Sequence, residues 1–95
     1  MKIRWTAPAL RDLEAIGDYI AHDNPRAADR VVLRILDQTD LLATHPEIGR
    51  PGRIAGTREL VIADTPYIVP YRLRGAEIEI LAVFHGARNW PERFN

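Results

Sequence analysis

Cysteine and serine are both absent from this 95-residue chain, and lysine occurs only once, at Lys2. Without cysteine the chain can form neither a disulfide nor a thiolate zinc site, and it has no cysteine nucleophile. The lack of serine excludes a serine nucleophile as well. The three histidines, His22, His45 and His85, do not have the spacing of metal ligands, and no glycine-rich phosphate loop follows a strand pattern. We therefore expect neither a metal site nor a cofactor.

Long apolar runs are also absent, so no segment is typical of a membrane span. Residues 1–6 lead directly into a charged helical pattern, which does not resemble a signal peptide. The length fits one domain over residues 1–95, and a hydrophobic content of 46% is enough for one core. These features predict a single-domain cytoplasmic protein.

The formal net charge is zero, but the charges are unevenly distributed. Between Arg50 and Arg74 the chain carries five arginines against only Glu59 and Asp64. Arginine binds phosphate or carboxylate groups as a planar, bidentate donor. The excess fits either an anionic partner or an ordinary solvated surface.

Two helices are predicted in the first half of the chain. Thr6 is placed as an N-cap, and Pro8 is tolerated in the first turn of a helix over residues 8–22. Asn24-Pro25 is the signature of a second helix start, and Pro46 requires that helix to end near His45. The apolar positions of the first helix are Leu10, Leu13, Ile16 or Gly17, and Ile20, and those of the second are Ala28, Val31 or Val32, Ile35 and Leu42. So short a break predicts an antiparallel helical hairpin.

The second half changes to a strand pattern. Residues 46–57 are rich in glycine and proline and are predicted as a loop. Alternating apolar residues then predict strands over 58–63, 67–74 and 78–85, with turns at 64–66 and 74–77. Pro70 cannot donate a ladder hydrogen bond, so it marks either an edge strand or a bulge. The predicted fold is a two-layer α+β domain: an N-terminal strand, a helical hairpin, and a three-stranded antiparallel meander that forms one antiparallel sheet with the first strand.

Several motifs occur in the order found in one family of bacterial proteins. The quoted segments are Asp12-Leu13 with Tyr19-Ile20, His45-Pro46-Glu47-Ile48-Gly49, Arg58-Glu59-Leu60, Tyr67-Ile68-Val69-Pro70-Tyr71-Arg72, and Phe84-His85-Gly86-Ala87-Arg88. Together they resemble the RelE/ParE superfamily of toxins from type II toxin–antitoxin systems, with the ParE-like branch favoured. The resemblance implies that the N-terminal strand lies beside the last strand. It also implies a cognate antitoxin whose C-terminal segment wraps the toxin and whose other end binds operator DNA.

The superfamily combines two activities, and the residues favour one of them. RelE-like members are ribosome-dependent mRNA endonucleases, which need acid–base groups and cations around the phosphate. At the corresponding positions this chain has Glu59 and Val61 for two lysines, Ile68 for an arginine, and Phe94 near a tyrosine; only Arg88 is kept. The resemblance therefore implies a ParE-like toxin that inhibits DNA gyrase by binding.

A nuclease remains the alternative, as does an inactive homologue that acts only with its antitoxin at the operator. If the chain is a nuclease, His85, Arg88 and Arg72 are its candidate catalytic residues. The structural alternatives are a strand-end His85 bonded to a backbone carbonyl, an Arg88 that binds a chain-terminal carbonyl, and cross-strand pairing of Arg72 and Arg74 with Glu77 and Glu79. Trp5, Trp90 and Phe94 are predicted to anchor the chain ends, with contact to a partner as the alternative. If the first strand pairs with the last, the two indoles are expected to lie close together at one end of the sheet. The antitoxin is predicted to occupy the apolar surface of the helical hairpin and the sheet edge, as a helix or an added strand.

Overall fold

The computed structural model describes residues 1–87, and both predicted helix starts are present in it. The Thr6 hydroxyl accepts a hydrogen bond from the Ala9 amide (3.3 Å), and the Asn24 side-chain oxygen accepts one from the Ala27 amide (3.1 Å). These caps satisfy amides that a helix start leaves without partners. The elements are β1 (Lys2–Trp5), α1 (Ala7–Asp23), α2 (Pro25–Asp40), a 3₁₀ turn (Leu41–Ala43), β2 (Arg50–Pro51), β3 (Arg58–Val61), β4 (Tyr67–Arg74), β5 (Glu77–Ile80) and β6 (Phe84–His85). Within residues 1–87, no helix is both long and apolar enough to cross a membrane.

The strands form one sheet in the order β1-β5-β4-β3-β2, with β6 also paired to β4. As predicted, the N-terminal strand β1 lies beside the first part of the predicted last strand, which is β5. The prediction that the sheet is entirely antiparallel is wrong, because β1 runs parallel to β5. Alternation of apolar residues shows which side of a strand is buried, but it does not specify the direction of a neighbour that is distant in sequence.

The helical hairpin packs against one face of the sheet and encloses the core between the two layers. Ala9, Leu13 and Ile35 contribute from the helices, and Val69 and Tyr71 contribute from the central strand. Leu10, one of the predicted apolar positions of α1, lies outside this core, because it is 51% exposed while its neighbour Ala9 is fully buried. Helix α1 is therefore rotated about its axis so that Ala9 faces the sheet and Leu10 lies on the outer side of the hairpin.

Pro70 lies at a bulge in the middle of the sheet. β4 is flanked by β3 and β5, so the alternative that Pro70 marks an edge strand is wrong. Tyr71 pairs with Ile80, but Ile68 pairs with Phe84, so the neighbouring strand gains one residue across Pro70. The carbonyl of Pro70 accepts a hydrogen bond from Leu81 (3.0 Å), and its ring nitrogen faces the same side with no hydrogen to donate. The predicted strand 78–85 is consequently divided into β5 and β6.

Both predicted turns form, and each includes a residue with a positive φ. Asp64 has a φ of 63° in the turn between β3 and β4, where aspartate is better tolerated than most residues. Gly75 has a φ of 62° in the two-residue connection between β4 and β5. A glycine at the first central position is the feature that type II′ hairpin turns require.

The predicted loop over residues 46–57 contains the short edge strand β2 and is tied to the core by Tyr71. The buried Tyr71 hydroxyl donates to the Pro46 carbonyl (2.8 Å) and accepts from the Gly49 amide (2.9 Å). A Cβ atom on Gly49 would lie 2.6 Å from the tyrosine ring, so only glycine allows this approach. The Pro46 and Gly49 positions of the family-like motif therefore have a structural explanation.

Candidate functional site

The nuclease positions of the RelE branch that fall among the described residues lie together on one surface. Glu59 and Val61 alternate with the core residue Leu60 along β3, and Val61 pairs with Ile68 of β4. All three side chains therefore project from the face of the sheet that points away from the helices. We call this the open face. Its residues are Lys2, Arg4, Arg50, Glu59, Val61, Ile68, Pro70, Arg72, Arg74, Glu77 and Glu79.

Glu59 is buried on the open face within a cage of hydrogen-bond donors. It is 3% exposed, and its carboxylate accepts from Arg50 Nε and Nη2 (3.1 and 3.0 Å) and from the Arg53 amide (2.9 Å). Burial alone would raise the pKa of Glu59, but the Arg53 amide and the Arg50 guanidinium lower it below its ordinary value. A carboxylate with a lowered pKa is a weak base, so Glu59 is poorly suited to remove a proton.

Glu79 is the second buried carboxylate of the open face, and three arginines surround it. The Arg72 Nε atom donates to it at 2.6 Å, Arg4 also donates to it, and an Arg74 Nη1 atom lies 3.9 Å away. The predicted cross-strand pairing of Arg72 is confirmed. Arg74 lies near Glu79, although Glu77 is its backbone partner. Since Glu79 is only 3% exposed, this arrangement neutralises a charge that burial would otherwise penalise.

His85 is separated from Arg72 by both distance and orientation. His85 pairs with Tyr67 at one end of β4, and its ring contacts the tyrosine ring edge-on with centroids 5.9 Å apart. Tyr67 belongs to the core, so His85 lies on the helix side, whereas Arg72 lies on the open face. Arg72 lies five positions beyond Tyr67 along β4, which corresponds to roughly 17 Å.

The other predicted contacts are partly replaced by different ones. His85 Nδ1 accepts a hydrogen bond from the Ala87 amide (3.2 Å), where a backbone carbonyl was expected as its partner. This bond places the proton of the neutral ring on Nε2. Arg88, Trp90 and Phe94 lie outside the described residues. Within residues 1–87, no three His, Asp or Glu side chains are arranged to hold a metal ion.

Asp12 connects the helical layer to the bulge, a role that the sequence pattern did not reveal. Its carboxylate accepts a hydrogen bond from the Val83 amide (3.0 Å), which lies in the irregular segment between β5 and β6. Burial raises the pKa of Asp12, although the Val83 amide and Arg11 act in the opposite direction. The family-like aspartate therefore satisfies a backbone donor that the bulge leaves without a ladder partner.

The outer side of the helical hairpin carries an apolar groove of about 760 Å³. Leu10 and Leu33, which are 51% and 57% exposed, lie in it, and its base includes Gly17, where a Cβ atom would come within 3.2 Å of Val32. The titratable residues that line the groove are Glu14, Asp18 and Asp29, so its charged rim is entirely acidic. An apolar groove with charged edges is typical of a surface that binds an amphipathic helix.

Comparisons with known proteins identify the family. The family model described as ParE toxin of type II toxin-antitoxin system, parDE, matches residues 3–90. The Y4kP protein of Sinorhizobium fredii is 56% identical over 91 residues, which are 96% of this chain and 94% of that protein. Toxin RelE2 of Caulobacter vibrioides is 41% identical over 87 residues, which are 92% of this chain and 97% of that toxin.

A solved structure is also similar to this chain. A structure described as the chromosomal ParDE toxin–antitoxin system from P. aeruginosa aligns with a TM-score of 0.81 and 34% identity, over 90% of this chain and 95% of that one. The fold and the sequence motifs thus agree with the family match. The chain belongs to the ParE toxin family of the RelE/ParE superfamily and is the toxin of a type II toxin–antitoxin system, with a cognate antitoxin as its partner.

Proposed function

We propose that this toxin arrests growth by binding DNA gyrase and that it does not cut RNA. The observation that carries the proposal is the composition of the open face. Where the nuclease branch places two lysines and an arginine, this face has Glu59, Val61 and Ile68. Val61 and Ile68 have no group that could exchange a proton or stabilise a phosphate charge.

The charged residues of the open face support the same conclusion. Glu59 is held by Arg50 and Arg53 and has a lowered pKa, which makes it a poor general base. Arg72 is engaged by Glu79 and lies far from His85 along β4. An RNA phosphate on this face would therefore find cations, but the carboxylates beside them, Glu59 and Glu79, are buried and engaged by arginines.

The nuclease alternative has one specific observation in its favour. A relative that shares 41% identity with this chain is named RelE2, after the other branch of the superfamily. His85 also has a ring nitrogen beside the Ala87 amide, close in sequence to Arg88. If RNA were cut, His85, Arg88 and Arg72 would be the residues to test first.

Brief induction of the chain without its antitoxin distinguishes these functions. We expect filamenting cells with an induced DNA-damage response, intact reporter mRNA on mapping of 5′ ends, and inhibition of supercoiling by gyrase incubated with the purified toxin. His85→Ala and Arg88→Ala should retain growth arrest. New cuts within translated codons that disappear in His85→Ala would contradict the proposal. Folded protein that causes no arrest would also contradict it and would favour a role only in operator binding.

We further propose that the antitoxin places an amphipathic helix in the groove of the helical hairpin. The exposed leucines of the groove, Leu10 and Leu33, supply the apolar contact. The acidic rim of Glu14, Asp18 and Asp29 selects a helix whose apolar stripe is flanked by lysine or arginine. Gyrase and the antitoxin are both partners inside the cell, so the proposed location is the cytoplasm.

A further inference from the structure

The open face also presents an array of arginines that neither the groove nor the family match explains. Arg4, Arg50 and Arg74 have side chains that are 47%, 53% and 67% exposed, although each lies within 4 Å of a buried glutamate. Arg72 is the most enclosed, at 22% exposure. We call these four residues the arginine array.

Hydrogen bonds to the two buried glutamates restrict Arg4, Arg50 and Arg72, and Arg74 lies near Glu79 at 3.9 Å. Around Glu79, Arg4, Arg72 and Arg74 each direct one guanidinium nitrogen toward the carboxylate, and a guanidinium carries five N–H donors. Donors therefore remain for a ligand outside the sheet. Because the glutamates restrict the arginine side chains beforehand, a ligand loses less conformational entropy in binding them.

Two arginines of the array, Arg72 and Arg74, are spaced like alternate residues of an extended peptide. Arg4 and Arg72 lie on either side of Glu79 in one row across β1, β5 and β4, so their Cα atoms are about 10 Å apart. Arg74 follows Arg72 two residues along β4, at about 7 Å. Side chains on one face of an extended peptide repeat at this same interval of about 7 Å. Arg72 also lines a cavity of about 300 Å³ with Arg58 and Thr57, next to the array.

The charge of this surface favours a protein ligand over a nucleic acid. Nucleic-acid-binding surfaces are usually strongly basic, whereas this surface carries Glu59, Glu77 and Glu79 among its arginines. Part of the positive charge of the array is already neutralised by Glu59 and Glu79. Within the toxin itself, each of these two carboxylates is already contacted by more than one arginine.

We infer that the arginine array is a second interaction surface, distinct from the helical groove, and that it binds an acidic, extended protein segment. Carboxylates at alternate positions of that segment would lie over Arg72 and Arg74, with Arg4 beside the segment on β1. The inference does not depend on gyrase as the target. The surface for acidic ligands lies on the sheet, whereas the groove with the acidic rim lies on the helical layer.

A titration of the isotope-labelled full chain by NMR tests this inference. The probe is a twelve-residue peptide of alternating glutamate and alanine, compared at low salt with its glutamine version and with an RNA dodecamer. We expect the acidic peptide to shift the amide signals of β1, β4 and β5 and the Nε–H signals of Arg4 and Arg72. Arg4→Gln/Arg74→Gln should weaken binding roughly fivefold, since each exposed ion pair contributes little. This variant keeps the hydrogen bond that Arg72 Nε donates to Glu79.

The matched control, Arg26→Gln/Arg30→Gln, removes the same net charge from exposed positions of α2 and should change binding less than twofold. If the double variant on the array does not fold, Arg74→Gln alone is informative, because its contact with Glu79 is the longest of the three. Equal losses in both double variants, equal binding of the glutamine peptide, or tighter binding of the RNA would overturn the inference. Absence of any shift with the acidic peptide would overturn it as well.

Discussion

The two outer surfaces of this toxin differ in both chemistry and construction. The groove of the helical hairpin combines exposed leucines with Glu14, Asp18 and Asp29, whereas the open face combines arginines with two buried glutamates. A net charge of zero therefore conceals two surfaces of opposite character. The contrast shows that partner chemistry must be derived from each face separately and not from the composition of the whole chain.

The largest expected effect concerns the groove. Leu33→Asp introduces a charge among apolar side chains that the antitoxin helix would cover, so we expect antitoxin affinity to fall about 100-fold. The free energy of unfolding should change little, because Leu33 is 57% exposed in the toxin alone. Isothermal titration calorimetry with the cognate antitoxin measures the affinity. Leu41→Asp, at a 50% exposed position outside the groove, is the control and should bind normally.

Substitution of a buried glutamate on the open face should lower the free energy of unfolding. Glu79→Gln removes the charge that holds Arg4 and Arg72 together, so we expect the free energy of unfolding to fall by about 2 kcal/mol, a value reduced because Arg4 is half-exposed. Urea denaturation measures the change. Glu77→Gln, on the same strand and face but less buried, should change it by less than about 0.5 kcal/mol. Equal losses in the two variants would show that burial of Glu79 is irrelevant.

Loss of the hydrogen bond between Asp12 and the Val83 amide, which joins the two layers, should lower the free energy of unfolding by a smaller amount. Asp12→Ala leaves the Val83 amide without its acceptor, which should cost about 1 kcal/mol. Asp12→Asn retains a side-chain oxygen and should cost less. The urea denaturation midpoints of the two variants at neutral pH measure this difference. An alanine variant as stable as the asparagine variant would contradict the role of this hydrogen bond.

Acid titration sharpens the comparison further, because Asp12 and Glu59 have pKa values shifted in opposite directions. The pKa of Glu59 is lowered by folding, so its stabilising contribution is complete above its ordinary value of 4.5 and is lost as the pH falls through the folded-state pKa. The pKa of Asp12 is raised from 3.8 in the folded state. Its contribution to the free energy of unfolding therefore increases as the pH falls and the carboxyl becomes protonated.

We therefore expect Glu59→Gln to flatten the loss of stability below pH 4.5, and Asp12→Asn to make that loss steeper. The urea midpoint followed from pH 6 downward gives both slopes. Identical slopes in the wild type and both variants would contradict the assigned shifts.

Local chemistry was predictable from the sequence, and long-range pairing was not. Thr6 and Asn24 were identified as caps because capping depends on residues three positions away. The bulge at Pro70 was among the predicted alternatives, but the division of the last strand into β5 and β6 depends on register across the sheet. The exposure of Leu10 depends on how the hairpin rotates against the sheet.

The candidate site was predictable only in part for the same reason. The substitutions at Glu59, Val61 and Ile68 were visible as departures from the nuclease pattern. The burial of Glu59 and Glu79 was not, because each carboxylate is covered by residues from other strands. The contact of Asp12 with Val83 spans 71 positions and has no local signature in the sequence.

The two edges of the sheet have a consequence for the toxin when its partner is absent. One edge is the two-residue β2, which contains Pro51, and the other is the four-residue β1, which carries Lys2 and Arg4. Short strands, proline and positive charge all discourage a second copy from extending a sheet. A chain whose apolar groove is uncovered is at risk of aggregating. These guarded edges would keep the released toxin available to its target instead of losing it to self-assembly.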